Sequence, residues 1–109
     1  PTEEAPNYAA LAGISSVREE LPTAFTLEQN YPNPFNPTTN IAFNIPSASR
    51  VTLEVYNMLG QRVATLLNRQ MTAGSHTVPF NAANFGSGIY IYRLTAGDFV
   101  ATKRMTLIK

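Results

Sequence analysis

The chain has 109 residues with a net charge of +1, of which 14% are charged and 44% hydrophobic, with eight prolines and no cysteine. That length supports one hydrophobic core, and low charge beside a high apolar share describes a folded chain rather than a disordered one. A near-neutral balance excludes a phosphate-tracking surface and so a nucleic-acid partner, the missing cysteines exclude disulfides, thiolate metal sites and thiol nucleophiles, and no apolar run approaches the roughly 18 residues of a transmembrane segment.

Residues 1–24 differ in composition from the rest. They hold four of the seven acidic residues, Glu3, Glu4, Glu19 and Glu20, together with Pro1, Pro6 and Pro22. Tyr8, Leu11, Ile14 and Val17 recur at helical spacing, but the prolines favour an interdomain linker, with at most a short helix. The start, PTEEAPNYAA, lacks the basic and apolar regions of a signal peptide, and the chain is expected to be a piece of a longer protein.

From Phe25 onward the pattern becomes short β runs separated by turn residues. Phe25-Thr26-Leu27 leads into YPNPFNP, where Pro32, Pro34 and Pro37 exclude both a helix and a central strand. Ile41, Phe43 and Ile45 then alternate with polar or small residues, as do Val51, Leu53 and Val55, each giving one apolar row on one strand face. Asn57 to Gly60 reads as a hairpin turn, since Asn and Gly tolerate positive φ, and Val63 to Leu67 is the returning strand.

Thr72-Ala73-Gly74 is a further turn, after which His76, Val78 and Phe80 share a face. Phe85-Gly86-Ser87-Gly88 introduces a strand over Ile89 to Ala96, with Tyr90, Tyr92 and Leu94 on one side and Ile91, Arg93 and Thr95 on the other. Large apolar groups on both faces place it centrally. After Gly97-Asp98 the last strand runs from Phe99 to Ile108, with Lys103 and Arg104 on opposite faces, so that one of them must reach a sheet end or twist out to solvent. Six or seven short strands at about ten-residue spacing describe an all-β fold, a β-sandwich or barrel.

Catalytic constellations are lacking. A Ser-His-Asp triad would need His76 and Asp98, the only residues of their types, and no nucleophile elbow accompanies them. Turn chemistry explains both. Glu28, Glu54 and Asp98 are too dispersed for a calcium loop or an acid-base pair, and Glu54 reads as a solvated residue on the polar face of its strand. The Phe85 to Gly88 loop lacks the lysine and helix of a phosphate loop. Tyr56, Tyr90 and Tyr92 suggest a sugar platform, against which stands the simpler reading that Tyr90 and Tyr92 fill the core with hydroxyls at the sheet margin. No cofactor is expected, and the chain is expected to be a monomer and not an enzyme.

YPNPFNPTT (Tyr31 to Thr39), VTLEVYNMLGQRVATL, AGSHTVPFNA, GSGIYIYRL and the terminal KRMTLIK, in that order, resemble the type A C-terminal sorting domain of the bacterial type IX secretion system. The resemblance runs from Phe25 to Lys109. It implies an immunoglobulin-like antiparallel β-sandwich of about seven strands, preceded by a linker, residues 1–24, from an upstream cargo domain. It also implies an address function: transit through the periplasm, recognition by the outer-membrane translocon, and removal by a sortase-like peptidase that leaves the cargo at the cell surface or outside the cell. The motif positions carried over are Tyr31, Pro32, Asn33, Pro34, Phe35, Asn36 and Pro37, then Gly60, then Gly88 and Tyr90, and finally Lys103, Arg104 and Lys109. An exposed backbone edge on the final strand would suit pairing with a receptor. An immunoglobulin-like carbohydrate-binding or spacer module of an extracellular enzyme is the alternative reading, since fold does not fix function.

Overall fold

The computed structural model describes residues 23–109. The linker and short helix expected over residues 1–24 lie outside the described residues, apart from Thr23 and Ala24. Seven strands follow: β1 (Thr26–Leu27), β2 (Thr38–Ile45), β3 (Ser49–Tyr56), β4 (Arg62–Met71), β5 (Gly74–Asn81), β6 (Gly88–Ala96) and β7 (Phe99–Leu107). They form a three-stranded sheet in the order β1-β2-β5 and a four-stranded sheet in the order β4-β3-β6-β7. Every strand pair is antiparallel. This is the all-β, immunoglobulin-like sandwich that the sequence leads one to expect.

Period-two alternation decides what each sheet buries. Ile41, Phe43 and Ile45 of β2 are fully buried, as are Val51, Leu53 and Val55 of β3, Tyr92 and Leu94 of β6, and Met105 and Leu107 of β7. These rows belong to the two inner faces, and they interdigitate as one core. The β6 strand has neighbours on both sides, β3 and β7, and so is central in its sheet, as expected.

The returning strand β4 is longer than the Val63 to Leu67 run, since it pairs with β3 from Arg62 to Met71. Two bulges, at Leu53/Glu54 and Val55/Tyr56, break the alternation that would have revealed its full length. After β4, Thr72 and Ala73 carry the chain from the four-stranded to the three-stranded sheet, so this turn is a crossing between sheets rather than a hairpin. The remaining strands, β6 and β7, are joined tightly at Gly97-Asp98, with Ala96 opposite Phe99.

Candidate functional site

The motif residues are scattered in sequence but converge at one end of the sandwich, through a strap formed by Gln29 to Pro37. Prolines at 32, 34 and 37 deprive the strap of three backbone donors. It therefore makes only isolated bridges, Tyr31 to Asn40 and Phe35 to Leu107.

The strap's root is a buried polar network. The Tyr92 hydroxyl, in the core, accepts the Asn30 backbone N–H at 2.8 Å and donates to the Glu28 carbonyl at 2.7 Å. Asn30 Nδ2 donates to the Pro32 carbonyl at 3.1 Å and to Thr39 Oγ1 at 3.0 Å, and Thr39 Oγ1 donates to the same Pro32 carbonyl at 2.8 Å. Gln29 Nε2 donates to Asn30 Oδ1 at 2.7 Å. Every donor here replaces a lost water contact, which is what makes burying Asn30 and Thr39 tolerable. Burial raises the Tyr92 pKa to about 12, against the opposing effect of the Asn30 amide that it accepts.

Beyond this root the strap lies along β7, the outermost strand of its sheet. The Phe35 N–H donates to the Thr106 carbonyl, and the Ile108 N–H donates to the Phe35 carbonyl, each at 3.0 Å. Asn33 Oδ1 accepts the Thr106 N–H at 3.0 Å, and Gln29 Nε2 donates to the Arg104 carbonyl at 2.6 Å. The edge of β7 from Arg104 to Ile108 is thus occupied by the chain's own strap, which removes that length from the open receptor edge expected of the final strand. Phe35 is buried at its centre and its ring packs against Phe80 at 6.1 Å; Phe80, Phe85 and Tyr90 continue the aromatic row at 5.7 and 5.9 Å. Tyr31, Pro32, Asn33, Pro34 and Asn36 stay exposed around it, and the Pro37 carbonyl accepts the Ala82 N–H at 2.8 Å.

The three basic motif residues have different settings. Lys103 falls on the core-facing row between Ala101 and Met105 and is half-buried, whereas Arg104 is exposed on the outer face. Lys109 is fastened: its N–H donates to Ser87 Oγ at 2.9 Å, and its Nζ donates to the carbonyls of Ala83 at 2.6 Å and Phe85 at 3.0 Å. Tyr90 is held by its hydroxyl, which donates to the Gly86 carbonyl at 2.7 Å.

Gly60 closes the β3–β4 hairpin with φ of 84°, and Gly88 opens β6 with φ of 154°. A Cβ would meet nothing within 4 Å at either, so the backbone conformation, not crowding, selects glycine.

The expectation that Glu54 is a solvated polar-face residue is corrected. Its side chain is only 11% exposed, held by Arg62 Nη1 at 3.0 Å and Arg93 Nη2 at 3.2 Å. The Tyr56 hydroxyl donates to Oε1 at 3.0 Å, and the Arg93 guanidinium lies over the Tyr56 ring, 4.9 Å from its centroid. Burial pushes the Glu54 pKa up, but hydrogen bonds from Tyr56, Arg62 and Arg93 outweigh it and hold the carboxyl below its ordinary value. Tyr56 moves the other way, raised first by burial and then by its carboxylate partner.

The tyrosines do not form a sugar platform. Tyr92 is wholly buried, and Tyr56 shares the outer face with Glu54. Asn30, Thr39, Tyr92 and Gln29, which fasten the strap, escaped the motif-based reading. Two of them carried a signal: period two continues the Ile41, Phe43, Ile45 row back onto Thr39, and the same alternation puts Tyr92 on the core face. His76 stacks on Phe43 at 5.4 Å and bonds the Thr72 carbonyl through Nε2, a structural role.

The described residues thus form a small β-sandwich with the strap and the last strand joined at one end. The model of the secretion system C-terminal sorting domain family matches residues 29–109, and the chain belongs to that family. This domain is the C-terminal sorting signal of the type IX secretion system, which directs export to the cell surface or the extracellular space. No curated protein matches the chain.

Proposed function

We propose that the end of the sandwich where the strap meets β7 is the part of the address that the secretion machinery reads. On this reading the domain trails an upstream cargo joined through residues 1–24, passes through the periplasm and is recognised by the outer-membrane translocon. A sortase-like peptidase then cuts within the linker. The role is that of a recognised substrate and needs no catalytic residue of its own. The observation that carries it is the pairing of Phe35 and Asn33 with Thr106 and Ile108, which joins the two motif regions into one folded end.

In this arrangement Tyr31, Pro32, Asn33, Pro34, Asn36 and Arg104 are presented to the partner. Phe35, Pro37, Gly60, Gly88, Tyr90, Lys103 and Lys109 act mainly by holding the scaffold. The test is a periplasmically targeted reporter fused ahead of residue 1 in a host with a type IX system. Asn33→Ala together with Arg104→Ala is expected to reduce display while the purified chain stays folded. Undiminished display would reject this end as the element read.

A further inference from the structure

Asn57 to Gln61 builds a fixed turn with a purpose that its own geometry does not require. Five hydrogen bonds hold it: Asn57 N–H to the Gln61 carbonyl, Gly60 N–H to the Asn57 carbonyl, the N–H groups of Leu59 and Gln61 to Asn57 Oδ1, and Asn57 Nδ2 to Gln61 Oε1. Every one of these bonds involves Asn57, and the side chains of Met58 and Leu59 take part in none. Met58 and Leu59 stand 58% and 83% exposed. The hydrogen-bonded turn holds both side chains out in water.

The tip sits beside a second apolar group. Register places Tyr56 opposite Ile91 and Ile91 opposite Arg104, so the turn that follows Tyr56 lies at the end of the sheet where β6 starts. There Ile89 is 39% and Ile108 54% exposed.

Charge is distributed unevenly between the two sheets. Residues 23–109 hold seven Lys or Arg against three carboxylates, a net of +4, and all seven cations belong to strands of the four-stranded sheet or, for Lys109, follow it. The long strands of the other sheet, β2 and β5, carry no Lys, Arg, Asp or Glu. On the arginine-bearing face Glu54 is already bound by Arg62 and Arg93, so no carboxylate is left there to neutralise Arg104.

We propose that Met58 and Leu59 anchor the domain in an apolar cleft of a protein partner whose rim carries carboxylates facing Arg62 and Arg104. A protein suits this surface better than a lipid bilayer, because the cations on this face are arginines spread across three strands beside Tyr56, and Arg and Tyr are enriched where proteins meet. The guanidinium fork also matches carboxylates in two-point contacts. The proposal rests on the sorting role and adds the hairpin tip to the region read, with Arg104 lying between the tip and the strap.

The test uses the whole 109-residue chain behind the reporter. Met58→Ser with Leu59→Ser is expected to lower export at least tenfold with the thermal midpoint of the purified chain unchanged; Thr77→Arg, on the uncharged sheet, leaves export intact. If the unmodified chain fails to export the reporter, the sorting reading itself is at fault. If it exports and the Met58/Leu59 variant exports equally well, the tip proposal alone is overturned. Two further results overturn the protein partner: co-sedimentation of the chain with phosphatidylcholine–phosphatidylglycerol vesicles that the serine variant abolishes, and a Met58-dependent dimer in sedimentation velocity.

Discussion

Tyr92 joins the core to the strap through one oxygen atom, and its consequences can be measured. Replacing it by Phe keeps the ring but leaves the buried Asn30 N–H and the Glu28 carbonyl without their partner. A loss of about 1–3 kcal/mol in denaturant unfolding is expected. The same hydroxyl sets an alkaline limit. Its folded pKa of about 12 lies above the ordinary value of 10.0, so the unfolded chain ionises first. Its contribution is complete below pH 10 and is lost as pH rises towards 12, by on the order of 3 kcal/mol for two units. The Tyr92→Phe variant should show a flatter alkaline limb. Glu54 acts with the opposite sign: its depressed pKa means that stability is present above the ordinary carboxylate value of 4.5 and falls as acid protonates it in the folded state. Glu54→Gln should flatten the acid limb of a stability profile, modestly because both arginines are partly exposed.

The strands declared themselves through alternation, and the strap did not. Phe35 is the one strap residue with both an apolar ring for the core and a backbone N–H for β7, flanked by prolines that can supply no donor. Proline chemistry told where a strand was impossible, yet not that the segment would lie against residues some seventy positions away. Asn30 gave no warning, since a lone asparagine before a Pro-rich run looks like any loop residue. Glu54 misled for a similar reason: period two places it correctly on the outer face, but only cross-strand register brings Arg62 and Arg93 over it. At this scale Phe35→Ala should cost about 3–5 kcal/mol through the cavity it leaves. Hydrogen exchange gives a finer check. Antiparallel alternation turns the N–H groups of Thr102 and Thr106 both away from β6, and of these only Thr106 has a strap acceptor among the described residues. Thr106 and Ile108 amides should exchange slowly and Thr102 fast, and Asn33→Ala should release Thr106 alone.

For the whole molecule, the sheet edges indicate how the sandwich resists strand addition by another chain. The β4 edge carries two bulges and arginines, the β5 edge carries Pro79, and the β7 edge is sealed by the strap along the stretch that ends the chain. Recognition by simple strand addition at Arg104 to Ile108 would first have to displace Phe35 from the core. On the proposed reading the address is formed by folding, with strap, hairpin tip and final strand assembled at one end, rather than a linear terminal tag. Its most direct test compares two reporters in a type IX host, one followed by all 109 residues and one followed only by residues 99–109. Display of the first alone is the predicted result. Equal display of both would contradict the claim that the fold makes the signal.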